Sequence, residues 1–328
     1  MRLAFFRKVL PALAALAGGA CIVAGFFGAQ VQAFDSVSHF RFQLALALVL
    51  VALAALLMRA WSALMLAIGS AALGLAFSLP WLLPQTGQAA PQGQPSYSLL
   101  QMNVLYEASD KTDAIRRIAE VQPDIVTLQE VTAEWRERLG HLSGRYPFQV
   151  YCGLEWDRDG IAILSRRPFV GEALCQDRNG RVTQRVDLNG REVAVTSLHL
   201  DWPWPRHHWR QIASLAATLH QGDGPALLGG DFNAAPWSAA VRTVAAEAGL
   251  DIVRGIGPTW LTIQLKSFWP RWLGLPIDQL LVSPDIVVER VETLERTSSD
   301  HLPVLLRFSL APGTPEPASV EATTASLR

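Results

Sequence analysis

Residues 226–236 read ALLGGDFNAAP. The apolar stretch 226–229 has the length and composition of a short buried strand. Gly229 and Gly230 close it, and they let neighbouring backbone approach closely while Asp231 and Asn233 project together beyond the strand. A strand end is the rim of a sheet, where side chains from distant segments converge. This stretch therefore predicts an α/β domain with a polar site at one end of its strands.

The same pattern recurs on both sides of it. Asn103 ends a strand over 97–103, and Glu130 follows the apolar strand 125–129 in DIVTLQEV. His199 ends the strand 193–199 in TSLHL, Asp278 opens a strand in IDQLLVS, and Asp300 and His301 precede the strand 302–308, LPVLLRF. Further strands are expected at 148–152, 161–165 and 286–293, with a hairpin formed by 172–176 and 182–188. Helices are expected over 110–121, where Pro123 follows the end, and over 132–139, 206–220 and 239–247. Strands outnumber helices and several form hairpins, which favours a sandwich of mixed sheets over a single parallel sheet.

Taken singly, these polar residues say little. Asn103 is more often a turn former, Glu130 a helix cap and His199 a satisfied structural histidine. Taken together they are four carboxylates, two asparagines and two histidines at strand ends, a donor set that suits hard divalent cations. Magnesium with retained waters fits phosphate chemistry better than an all-protein cage.

Composition divides the chain near residue 84. Half of its 328 residues are apolar and the mean hydropathy is +0.21, with the excess in 1–83. Apolar runs at 9–31, 42–58 and 61–83 each approach the roughly 20 residues that a helix needs to cross a bilayer. Phe40, Phe42, Trp61 and Trp81 stand near their ends, where aromatic rings favour the interface. The first run has a basic start like a signal peptide, but it is long for one and two further spans follow. Arg2, Arg7, Lys8 and Arg59 lie on one side of this three-span arrangement and only Arg41 on the other. That places the N-terminus inside and everything after residue 84 outside, on the periplasmic or extracytoplasmic side of a cell (inner) membrane. Residues 84–96, PQTGQAAPQGQPS, read as a linker, residues 97–310 as the folded domain and 311–328 as a disordered tail. Five of the 28 Lys and Arg and one of the 29 Asp and Glu precede residue 97, so the remainder holds 23 basic against 28 acidic residues, net −5. A domain-wide basic field for polyanions is thereby excluded.

The ordered segments MNVL, LQE, SLHL, GGDFNAAP, IDQLLVS and SSDHLPV resemble the endonuclease/exonuclease/phosphatase superfamily, the deoxyribonuclease-I-like fold, over about 97–310. The resemblance implies a four-layered α/β sandwich of two mixed sheets flanked by helices, here preceded by three transmembrane helices, as in a membrane-anchored bacterial-type member. It implies hydrolysis of phosphate esters with Mg2+ (or Mn2+). In this sequence Glu130 would bind the metal, supported by Asn103, with Asp300 beside it. Asp231 would orient or activate the attacking water, and Asn233 would hold a phosphate oxygen. His301, paired with Asp278, would contact the scissile phosphate, and His199 would contact phosphate or assist the leaving group. Some nucleases of the family carry a carboxylate two residues after the first-strand Asn. Here that position is Leu105, which offers a metal no side-chain ligand atom.

The expected function is a membrane-anchored, divalent-metal-dependent phosphoesterase acting on phosphodiesters, with nuclease activity in view. A lipid or inositol-phosphate phosphoesterase is the alternative, and a non-catalytic membrane-tethered binding module is the alternative of another class. The near-complete polar set argues against the last. The partners implied are a phosphate-ester substrate, nucleic acid or phospholipid, and the bilayer itself; no protein partner follows from the sequence. Trp202 and Trp204, directly after the histidine of HLDWPWP, read as packing residues, as base-stacking platforms or as an interfacial anchor. Trp237, Trp269 and Trp272 also stand beside motif residues. Arg206 and Arg210 either meet phosphate or form a solvated helix face. Cys152 and Cys175 can pair in an oxidising compartment, and Cys21 lies in an apolar run.

Overall fold

The computed structural model of the protein describes residues 2–85, 87–155, 160–176, 180–220, 222, 224–260 and 271–312. Trp269 and all but the first two residues of the expected tail lie outside that set. Twelve strands form two six-stranded sheets among the described residues. The first contains β1 (Tyr97–Asn103), β2 (Ile125–Gln129), β3 (Phe148–Cys152), β4 (Ile161–Ser165), β11 (Ile286–Thr293) and β12 (Val304–Leu310), in the order β11-β12-β1-β2-β4-β3. The second contains β5 (Phe169–Gln176), β6 (Arg181–Asp187), β7 (Glu192–His199), β8 (Ala226–Asp231), β9 (Asp251–Ile252) and β10 (Asp278–Val282), in the order β5-β6-β7-β8-β10-β9.

The sheets pack face to face through Leu99, Ile163, Val195, Leu227, Leu280 and Leu306. Helices α5 (Thr112–Val121) and α6 (Ala133–Gly140) bring Ile118 and Trp135 onto the outer face of the first sheet. Helices α7 (His208–Leu219) and α8 (Ala239–Ala248) bring Ile212 and Val241 onto the second. The central strands are therefore buried on both faces, which is why β2, β4 and β8 read as continuous apolar runs. Local sequence sets the helix ends. The Thr132 hydroxyl accepts from Trp135 N at the start of α6, Ser238 does the same for Val241 N at α8, and Gly249 closes α8 in the left-handed region. A side chain on Gly230 would overlap the Leu198 carbonyl of the neighbouring strand, so the second glycine of the opening stretch is required by close strand packing.

The register of three strands positions the rim residues. β7 and β8 run parallel with His199 beside Asp231, and antiparallel β10 sets Asp278 beside Asp231 from the other side. In the first sheet, parallel β1 and β2 place Asn103 beside Gln129, one residue before Glu130.

The N-terminal part is a helical hairpin bundle of α1 (Arg2–Ala24), α3 (Arg41–Leu57) and α4 (Trp61–Leu82). Small residues such as Ala15, Ala52, Ala67 and Ala71 meet inside, while Leu13, Leu50, Leu53 and Met65 face outward. Apolar side chains on every face are the mark of helices that sit in a bilayer. Arg7–Phe27 and Trp61–Leu82 are each long and apolar enough to cross one, and the third stretch is a pair, α2 (Gln32–Ser38) and α3, bent by 64°. The first span thus stops at Phe27 rather than running to residue 31, because the chain turns there into α2. The reason is polar: Asp35, the one acidic residue of this region, is buried against α8. Its carboxylate accepts from Ala239 N at 2.7 Å and Ala240 N at 3.1 Å. Trp237 Nε1 donates to Ser38 O at 2.6 Å, and Gln43 Nε2 to Gly274 O at 2.9 Å.

The segment expected as a linker is also pinned to the sandwich. Arg254 N donates to Gln85 Oε1, Gln88 N to Val288 O and Ser96 Oγ to Glu289 Oε2, and just before the segment Gly255 N donates to Trp81 O at the end of α4. Cys152 of β3 and Cys175 of β5 form a disulfide that ties together the edges of the two sheets.

Candidate active site

Seven of the eight expected side chains converge where the two sheets end. Asn103 is at the centre. Its Nδ2 donates to Glu130 Oε1 at 2.9 Å and to Asp231 Oδ2 at 3.0 Å, while its Oδ1 accepts from Leu105 N at 2.9 Å. It therefore fixes one carboxylate from each sheet relative to the other. Glu130 Oε2 accepts from Tyr106 N at 3.0 Å, so the glutamate is held at both oxygens and still borders open space. Asp231 Oδ1 accepts from Asn233 N at 2.8 Å, a local turn that orients Oδ2 inward. Leu105, Glu130 and Asn233 have φ of 58°, 60° and 48°, a region that non-glycine residues avoid unless surrounding structure holds them there. Three of the six such non-glycine residues among the described residues cluster at this rim.

His301 Nδ1 lies 2.8 Å from Asp278 Oδ2, and the other ring nitrogen lies 3.6 Å from Asp231 Oδ2. Asp278 is held by Gln101, whose Nε2 donates to Oδ1 at 3.0 Å and to Gln129 Oε1 at 2.7 Å. His199 Nε2 stands 3.7 Å from Asp231 Oδ2 and 4.0 Å from Glu130 Oε1. The Asn233 amide donates to Leu200 O at 2.8 Å. Asp300 stands at the margin, its Oδ2 accepting from Trp260 Nε1 at 2.9 Å.

Electrostatics follow from burial. Desolvation opposes charge on the His301 ring, but the carboxylates of Asp278 and Asp231 and the hydrogen bond the ring donates to Asp278 outweigh it and raise its pKa to about 10. Asp231 is pushed up to about 6, first by burial and then by Asp278, against the pull of His301 and His199. The two carboxylates thus favour charge on the His301 ring, while burial disfavours it on Asp231.

Among the described residues, two groups have donor atoms within 4.8 Å of one another, Glu130 with His199 and Asp231, and Asp231 with Asp278 and His301. The first suits a hard divalent ion better. Both groups have two carboxylates, but the first borders the cavity and Asn103 fixes both of its carboxylates. In the second, His301 is already committed to Asp278. Asp300 belongs to neither group.

The rim opens into a cavity of about 860 Å³ lined by Tyr106, Glu130, His199, Asn233, Trp202 and Trp204 on the sandwich side and by Ser36, His39 and Phe40 on the N-terminal side. Two contributions here were not expected from sequence. Gln101 sits in a strand whose alternation gives it no special mark, and its role appears only once β10 lies across the sandwich from β1. The 36–40 segment carried one signal, a lone Asp35 in an otherwise apolar region.

The model of the Endonuclease/Exonuclease/phosphatase family matches residues 100–301. A UPF0294 protein of Vibrio vulnificus is 28% identical over 135 residues, 40% of this chain and 45% of the relative, so the match spans less than half of that relative's length. In three dimensions the chain is similar to D. rerio TDP2 complexed with a single-strand DNA product, with a TM-score of 0.52 at 18% identity over 65% of this chain and 98% of that one. It is also similar to a Staphylococcus aureus beta toxin mutant with bound magnesium ions, with a TM-score of 0.52 at 16% identity over 66% of this chain and 100% of that one. At such identities both are likenesses of fold.

Proposed function

Because the chain belongs to the endonuclease/exonuclease/phosphatase family, we propose that it is a divalent-metal-dependent phosphodiesterase held at a membrane by its N-terminal helices, the sandwich from about residue 97 to 310 being its catalytic domain. The observation that carries this reading is the bridge made by Asn103 between Glu130 and Asp231, with the Asp278–His301 pair directed at the same point. Glu130 and Asp231 would hold Mg2+ or Mn2+, with His199 beside them. A divalent ion at this position neutralises phosphate charge and lowers the pKa of bound water.

The chain's own groups account for the rest. Asp231, whose Oδ2 lies 3.7 Å from His199 Nε2 and 3.6 Å from His301 Nε2, orients the attacking water and accepts its proton. His301 is held by Asp278 through Nδ1, so its second nitrogen carries a proton towards a phosphate oxygen and stabilises charge that grows there. His199, on the cavity wall, contacts a phosphate oxygen or the leaving alcohol. Asn233, whose second amide hydrogen remains after its bond to Leu200 O, serves the same oxygens. Asp300 contributes from the margin through its tie to Trp260.

The test is hydrolysis of bis(p-nitrophenyl) phosphate by the full chain in detergent. Chelation should stop turnover, and added magnesium or manganese should restore it; undiminished turnover after rigorous chelation would refute the reading. The topology proposed with it, N-terminus in the cytoplasm and catalytic domain outside, is checked by a reporter inserted after Gln88. Reporter activity on the cytoplasmic side would overturn it.

A further inference from the structure

The cavity over the catalytic rim has two walls of different origin. One is the sandwich itself. The other is the corner between α2 and α3, where Ser36, His39 and Phe40 line the same space as Glu130 and His199. Phe40 immediately precedes Arg41–Leu57, the long apolar arm of the bent pair, whose short arm, α2, docks on α8 through Asp35. The mouth of the site is therefore next to the level at which the chain enters the bilayer.

The rim of this mouth is aromatic. Phe40 is 48% exposed, and Trp202 and Trp204 are each 53% exposed. Trp204 is joined to the corner by the Ser36 hydroxyl, which lies 3.4 Å from its carbonyl oxygen. Trp272, 51% exposed, adjoins Leu273 and Gly274, whose carbonyls accept from Gln43 in the first turn of α3. Half-exposed indole and phenyl rings gathered at the end of apolar helices are the composition of a bilayer interface, where an apolar ring with a polar edge is stable. A polyanion platform would look different. It needs a basic groove, whereas the chain after residue 96 carries a net −5.

Resting on the phosphodiesterase reading above, we infer that the corner at residues 36–40 and the loop at 202–205 form a bilayer-facing mouth, and that the substrate is the phosphodiester of a membrane phospholipid headgroup. The lipid keeps its chains in the bilayer while its phosphate enters between Phe40 and Trp204. Water adds to phosphorus, one of the two ester P–O bonds breaks, and the departing alcohol takes up the proton that the water gives up. The products are a phosphomonoester and an alcohol, one of which stays in the bilayer.

The test uses the full chain in nanodiscs of phosphatidylglycerol and phosphatidylethanolamine with magnesium. Three substrates are followed: the nanodisc lipid by mass spectrometry, a single-stranded DNA oligonucleotide, and bis(p-nitrophenyl) phosphate. The inference expects the lipid and the chromogenic diester to be cleaved. It also expects Trp202→Ala/Trp204→Ala to lower the ratio of lipid to chromogenic turnover by roughly tenfold, because the rings that hold the mouth at the interface are gone. Phe40→Ser should act in the same direction. Cleavage of the chromogenic diester and DNA with the lipid intact would overturn the lipid assignment and leave the phosphodiesterase reading standing. An unchanged ratio in both variants would also overturn it. Failure on all three substrates would remove the phosphodiesterase reading and this inference together.

Discussion

Replacing Asp35 by alanine should loosen the catalytic sandwich, although Asp35 lies more than 200 residues before the helix it supports. Its carboxylate accepts from the first two amides of α8, Ala239 N and Ala240 N, and only 1% of the residue is exposed. Without it, two helix-terminal donors lose their partner. An unsatisfied buried donor costs about 1–3 kcal/mol, and loss of a helix cap costs about 1 kcal/mol. With partial relief by entering water, the net loss should be about 2–4 kcal/mol. For a domain of this size each kcal/mol moves the melting temperature by about 2–4 °C, so the full chain should melt about 5–15 °C lower. Asp35→Asn retains an acceptor oxygen but loses the charge at the helix N-terminus, and should fall between the two. The assay is thermal unfolding in nanodiscs combined with hydrogen exchange over residues 237–242, where protection should drop in the alanine variant. A melting point within 1 °C of the wild type, with those amides still protected, would refute the docking of α2 onto α8.

Three further predictions concern the site and its frame. His301→Ala should lower kcat by about 10²–10⁴, as steady-state rates will show, and should also lower the melting temperature, because the buried Asp278 loses its partner. In the metal-free chain, the His301 pKa is raised above its ordinary 6.5 to about 10. Its contribution to stability is therefore complete below about pH 6.5 and is lost as pH climbs through 10. The metal-free melting temperature should fall over that window, and His301→Gln should flatten the slope. Cys152→Ser should cost roughly 3 kcal/mol, the scale for opening a loop of this size, seen as a lower urea midpoint that reducing agent reproduces in the wild type.

Much of the sandwich is legible because its strands are buried on both faces. Runs such as ALLGG and IVTLQ then announce themselves by composition, and a polar residue at their ends stands out. Asn103, Glu130, His199, Asp231 and His301 are found this way. Asp278 is found because its carboxylate opens a strand. The rest depends on contacts that no local pattern encodes. Gln101 reads as an ordinary strand residue until sheet packing sets it against Asp278. Asp35 reads as an odd acid in an oily segment until α8 arrives from beyond residue 238. Residues 84–96 have a linker's composition, yet Gln85, Gln88 and Ser96 bond to Arg254, Val288 and Glu289. Composition reports the lack of a core in such a segment, and it cannot report docking onto one.

The central claim is that Glu130 and Asp231, bridged by Asn103, hold a divalent ion on which phosphodiester hydrolysis depends. The most direct measurement is a Mn2+ titration of the full chain followed by electron paramagnetic resonance, with turnover of bis(p-nitrophenyl) phosphate recorded on the same samples. The account predicts that wild-type turnover rises in step with bound Mn2+, and that Glu130→Gln weakens binding and loses turnover together. Equal Mn2+ binding and equal turnover in Glu130→Gln would contradict it.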